Sequence, residues 1–169
     1  LSGAAGDDTL FGLGGGDSLD GGEGNDAIDG GAGDDTVSGG RGLNGMDGGE
    51  GQDVLSYAWA TGPAAVDLAA GSAAVYASVA GADAVAQDAF GNFEHAEGGS
   101  GDDTLAGDGG ANSLRGAGGD DSLSGGAGND TLFAGQGRDT LDGGDGADHE
   151  QRPAGPRGQV HGVHQASSF

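Results

Sequence analysis

The chain has 169 residues, of which 43 are glycine, 28 are acidic and 5 are basic, with a formal net charge of −23 and no cysteine. That composition excludes a conventional core of large side chains, which needs more apolar area to offset chain entropy, and it excludes disulfides and thiolate metal sites. So negative a surface repels phosphate backbones and argues against a nucleic-acid partner, and no run approaches the roughly 20 apolar residues of a membrane span.

Taken from Gly3 in rows of nine, the chain reads GAAGDDTLF, GLGGGDSLD, GGEGNDAID, GGAGDDTVS, GGRGLNGMD and GGEGQDVLS, and these rows close a first block at residues 1–56. Leu1 and Ser2 fit places eight and nine of an earlier row, so the chain is expected to be a piece of something longer. Residues 57–97 interrupt the period, are rich in alanine and hold only four glycines. Within them Ala65-Val66-Asp67-Leu68 alternates like a strand with Val66 and Leu68 inward. Tyr57, Trp59, Tyr76, Phe90 and Phe93 also gather here and are expected to form a small packed patch between the blocks, a sugar-binding surface being the alternative. A second block, 98–151, reads GGSGDDTLA, GDGGANSLR, GAGGDDSLS, GGAGNDTLF, AGQGRDTLD and GGDGADHEQ. Residues 152–169 then read as a flexible tail, to which His161 and His164 belong rather than to a metal site.

Glycine fills place four in all twelve rows and place one in eleven, Ala134 being the exception. Place six is Asp except at Asn44 and Asn112, and place eight is a large aliphatic residue except at Glu150. Scattered glycines signal disorder; three residue types held in phase signal a repeat fold. Glycines at places one, two and four suit a tight turn, and places seven to nine suit a short strand whose middle side chain points inward. Leu10, Leu19, Ile28, Val37, Met46 and Leu55 are then expected to stack as one ladder, and Leu105, Leu114, Leu123, Leu132 and Leu141 as another.

These rows resemble G-G-x-G-x-D-x-U-x, the nonapeptide of the repeats-in-toxin (RTX) proteins, where U is a large aliphatic residue. The resemblance implies an all-β fold, a right-handed parallel β-roll (a β-solenoid) with two rows per coil, and it implies Ca²⁺ as the ligand. It further implies a secreted bacterial protein, exported by type I machinery to fold outside the cell. The inter-block residues become irregular coils of the same solenoid, Asn92-Phe93-Glu94-His95-Ala96-Glu97 leading into Gly98. An N-terminal domain of the same polypeptide, such as a protease, lipase or polysaccharide epimerase, is a further expected partner, with an adhesin spacer as the rival setting.

Stacking of coils brings the place-six side chains of alternate rows together, which is repulsive without a counter-ion. The candidate pairs are Asp8 with Asp26, Asp17 with Asp35, Asp26 with Asn44, and Asp35 with Asp53 in the first block. In the second they are Asp103 with Asp121, Asn112 with Asp130, Asp121 with Asp139, and Asp130 with Asp148. A hard cation such as Ca²⁺, which takes 6–8 oxygen ligands, resolves the repulsion with carbonyls of the glycine turns completing the set. Eight ions is therefore the upper expectation, with the Asn44 and Asn112 sites the weakest. The acids at place five (Asp7, Asp34, Asp102, Asp120) and place nine (Asp20, Asp29, Asp47, Asp142) read as surface charge. Gly40–Gly45 matches G-x-G-x-x-G only as a by-product of glycine density, because a βαβ setting is missing. With no H-E-x-x-H or G-x-S-x-G, the chain is expected not to be an enzyme.

Overall fold

In the computed structural model, which describes residues 1–76 and 84–152, every regular element is a β-strand. The expectations for His161, His164 and the tail beyond Arg152 lie outside the described residues. The first block forms β1 (Ser2–Ala5), β2 (Thr9–Phe11), β3 (Ser18–Glu23), β4 (Ala27–Ala32), β5 (Thr36–Arg41), β6 (Gly45–Glu50) and β7 (Val54–Ser56). Between the blocks lie β8 (Ala64–Asp67), β9 (Ser72–Tyr76), β10 (Ala84–Gly91) and β11 (His95–Glu97). The second block adds β12 (Thr104–Ala106), β13 (Ser113–Gly118), β14 (Ser122–Ser124), β15 (Thr131–Gln136), β16 (Thr140–Asp142) and β17 (His149–Gln151). No helix among the described residues is long and apolar enough to cross a membrane.

Successive rows go to opposite sheets, so two rows make one coil of a β-solenoid. One sheet has the order β1-β3-β5-β7-β11-β13-β15-β17 and the other β16-β14-β12-β8-β9-β10-β6-β4-β2. Within the blocks every pairing is parallel and residue i meets residue i+18, as Leu19 meets Val37 and Leu114 meets Leu132. This corrects the expected ladders. Leu10, Ile28, Met46 and Phe90 align in one sheet, while Leu19, Val37, Leu55, Ala96, Leu114 and Leu132 align in the other. The physical reason is that half a coil separates adjacent rows, so neighbours in sequence face each other across the core.

The inter-block residues perturb only one sheet. There β8, β9 and β10 form an antiparallel meander whose outer strands pair in parallel with β12 and β6. In the other sheet β7 passes directly to β11 and on to β13. The expected alternation holds over 65–67, with Val66 buried and Ala65 and Asp67 exposed, while Leu68 lies just past the end of β8 and is half-buried against the core. Of the aromatics, Tyr57 and Phe93 are buried, and Phe93 meets Phe90 edge to face at 5.9 Å. Tyr76 stays exposed and Trp59 half-buried.

The glycines divide their work differently from a simple turn. Six-residue strands such as β3 carry places one to three inside the sheet. Positive φ falls on places two and four, as at Gly22 (105°) and Gly24 (135°), a region open to glycine at little cost. Leu13 nevertheless adopts φ 75° at place two.

Candidate metal centre

The two edges of the solenoid are lined by the glycine turns, and each turn ends on a place-six side chain just before a strand. Asp8, Asp26 and Asn44 lie on the edge where the chain leaves the first sheet, and Asp103, Asp121 and Asp139 continue that edge in the second block. The opposite edge carries Asp17, Asp35 and Asp53, then Asn112, Asp130 and Asp148.

One contact repeats along both edges: the place-six amide of one coil donates to the place-six side chain of the next. Asp8 N donates to Asp26 Oδ1 at 2.9 Å, Asp17 N to Asp35 Oδ1 at 2.8 Å and Asp26 N to Asn44 Oδ1 at 3.0 Å. Asp35 N donates to Asp53 Oδ1 at 2.8 Å. In the second block Asp103 N donates to Asp121, Asn112 N to Asp130, Asp121 N to Asp139 and Asp130 N to Asp148, at 2.8 to 3.1 Å. All eight expected pairs are thus neighbours in the structure, each joined by an amide-to-side-chain hydrogen bond.

The second carboxylate oxygen has a different fate. Oδ2 of Asp8, Asp26, Asp35, Asp53, Asp121 and Asp130 is buried and has no hydrogen-bond partner. Asp26, Asp35, Asp53, Asp121 and Asp130 are themselves 0 to 3 % exposed. A buried anionic oxygen without a partner is costly. Burial accordingly raises the Asp53, Asp103 and Asp130 carboxyls above the ordinary range and pushes Asp121 up to about 6. Neighbouring carboxylates add to the rise: Asp35 and Glu94 at Asp53, Asp103 and Asp139 at Asp121. Among the described residues the only ion pair, Arg115 with Glu97 at 3.6 Å, touches none of these groups.

Place one explains why glycine recurs there. A Cβ at Gly3 would stand 2.6 Å from Asp8 Oδ2 and 2.7 Å from the Gly21 carbonyl oxygen. The same convergence of a carboxylate and a carbonyl oxygen meets a Cβ at Gly21, Gly30, Gly98, Gly116 and Gly125. Asp103 differs in that the Gly99 amide occupies its Oδ2 at 2.7 Å. Each of these six turns therefore holds a small cradle of oxygens, whereas a Cβ at Gly39 would meet Asn44 Nδ2, a donor. Among the described residues no three carboxylates or imidazoles converge on one point, so an ion held here draws on backbone oxygens as well. That donor chemistry fits a hard cation with many oxygen ligands, and it does not fit zinc.

Three features escaped the sequence reasoning. Place five builds its own exposed ladder, running the other way: Asn25 N donates to Asp7 Oδ1 and Arg138 N to Asp120 Oδ1, both at 2.8 Å. Asp7, Asp34, Asp102 and Asp120 thus stitch turns together as well as charging the surface. Asp88 and Glu94, outside any nonapeptide, occupy the place-six position in the inter-block coils, accepting from the amides of Asn44 at 3.0 Å and Asp53 at 2.9 Å. A usable signal was present: Asp88-Ala89-Phe90 and Glu94-His95-Ala96 each put an acid two residues before an apolar one, as places six and eight do.

Comparison with known families agrees with this geometry. The RTX calcium-binding nonapeptide repeat matches in four copies, over residues 1–28, 20–55, 97–132 and 115–149, more than half of the chain. No curated protein matches the chain.

Proposed function

Because this chain belongs to the RTX calcium-binding nonapeptide repeat family, we propose that it is a secreted, non-enzymatic β-roll module that folds as it takes up Ca²⁺ between its stacked turns. The observation that carries this reading is the row of buried Asp Oδ2 atoms without partners. The ligands we assign are Asp8, Asp17, Asp26, Asp35, Asn44, Asp53, Asp103, Asn112, Asp121, Asp130, Asp139 and Asp148, serving up to eight ions.

Bound calcium would supply the positive charge that the edges lack. The protein's own contribution is placement. At Asp35, Asp53, Asp121 and Asp130 an amide of the neighbouring coil holds Oδ1, which fixes the carboxylate and leaves Oδ2 without a partner. The glycine at place one leaves room beside that oxygen. The aliphatic ladders set the stacking of the coils but bury little more than one side chain per row. Binding only to the stacked form turns binding free energy into folding free energy. Without calcium, the repelling edges and small core leave the chain largely unfolded.

The setting we infer is extracellular, where modules of this kind bind at roughly 10⁻⁴–10⁻³ M, with type I export delivering the unfolded chain. The test is a calcium titration followed by far-UV circular dichroism. A cooperative gain of β signal at millimolar Ca²⁺, reversed by chelator, is expected; a spectrum indifferent to calcium rejects the reading.

A further inference from the structure

The seam between the two blocks treats the two edges differently. On one edge Asp53 is 0 % exposed and its Oδ2 has no partner. Its amide donates to Glu94 Oε2 at 2.9 Å, repeating the contact that the Asp35 amide makes with Asp53 Oδ1 one coil earlier. A Cβ at Gly48 would strike both the Asn92 carbonyl oxygen and Asp53 Oδ2. That is the carboxylate–carbonyl cradle of the nonapeptide turns, rebuilt with a carbonyl from outside them. Asn92 reaches it through a left-handed turn at φ 57° and is tied by its Nδ2 to Asp47 Oδ1 at 2.8 Å.

On the other edge the equivalent acid is sealed. Asp88 Oδ1 accepts from Asn44 N at 3.0 Å and Asn44 Nδ2 at 2.9 Å, and Oδ2 accepts from the Tyr57 hydroxyl at 2.6 Å. Tyr57 is completely buried, and Asp88 is 6 % exposed. Both carboxylate oxygens are satisfied by protein donors, so burial creates no demand for a cation.

We infer that Asp53, Glu94 and the Asn92 carbonyl form an additional Ca²⁺ site at the seam, whereas the Asn44–Asp88 step opposite is closed by Tyr57 and takes no ion. The inference rests on the calcium reading of the place-six ladder and extends it to residues outside every nonapeptide. It gives the seam one edge that stays metal-dependent and one that is locked by hydrogen bonds.

Counting bound ions by native mass spectrometry at saturating Ca²⁺ tests this. Glu94→Ala removes both side-chain oxygens from the seam, and one ion fewer than wild type is expected. Asp88→Asn should leave the count unchanged. A Glu94→Ala chain that folds with the wild-type count, or an Asp88→Asn chain that folds and loses an ion, overturns the inference while leaving the nonapeptide sites intact. A wild-type chain that binds no calcium overturns the parent reading together with this one. Anomalous diffraction from wild-type crystals grown with Tb³⁺ decides the matter without any variant: a peak within ligand distance of Asp53 Oδ2 and Glu94 is expected, and its absence with other edge sites filled rejects the site.

Discussion

Asp26→Ala separates a metal ligand from an ordinary buried acid. Asp26 is 3 % exposed, its Oδ1 accepts from Asp8 N at 2.9 Å, and its Oδ2 has no partner. It stands between Asp8 and Asn44 and so contributes to two assigned sites. Truncation strips the half-buried Asp8 amide of its acceptor, at about 1 kcal/mol. It also removes an unpartnered buried carboxylate oxygen, which by itself favours the variant. In the absence of metal the two effects oppose each other. With calcium held about a hundredfold above the site constant, each bound ion stabilises the fold by about 2.7 kcal/mol, so losing two costs about 5 kcal/mol. Urea unfolding at that calcium level, read by circular dichroism, measures the difference. Asp20→Ala is the control, since Asp20 is an exposed place-nine acid, and a change within about 0.5 kcal/mol is expected. Equal losses in the two variants, or an unchanged ion count in Asp26→Ala, would refute the assignment of Asp26 as a ligand.

Calcium affinity should fall on acidification. Burial holds the Asp121 carboxyl at about 6, so a proton competes for the ligand oxygen below that pH, and sites using Asp121 should bind about tenfold more weakly at pH 5 than at pH 7 by calorimetry. Without metal the small folded population should respond in the opposite sense: a raised folded-state value means that the folded form holds the proton more tightly, so this contribution to its stability is greatest below the unfolded value and is lost as pH rises through about 6. Gly30→Ala should abolish folding or weaken calcium binding severely, because a Cβ there meets the Gly48 carbonyl and Asp35 Oδ2. Gly45→Ala meets nothing within 4 Å and should be neutral or stabilising by about 0.4–1 kcal/mol in thermal melts with calcium. Leu55→Ala, at 0 % exposure between Val37 and Ala96, should cost about 2–5 kcal/mol in the same melts. Leu13→Gly should gain about 1 kcal/mol by relieving the left-handed backbone.

Much of this molecule was legible from residue spacing. Period, strand triplets and the place-six ligand candidates follow from local chemistry: a carboxylate after a glycine turn, then an inward aliphatic, repeated in phase. Such a pattern specifies a stacked repeat because each row can bury its apolar face only against another row. What spacing could not convey was decided by contacts between residues far apart in the chain. The division of the aliphatic residues into two ladders came from the half-coil offset between rows. The capture of Asp53 by Glu94, 41 residues away, and of Asp88 by Tyr57, 31 residues away, came from the path of the inter-block coils. The excess of acid in the composition meant only repulsion. Tertiary structure gave each acid an individual character, because an amide on one oxygen and burial of the other are properties of the packed neighbour, not of the repeat.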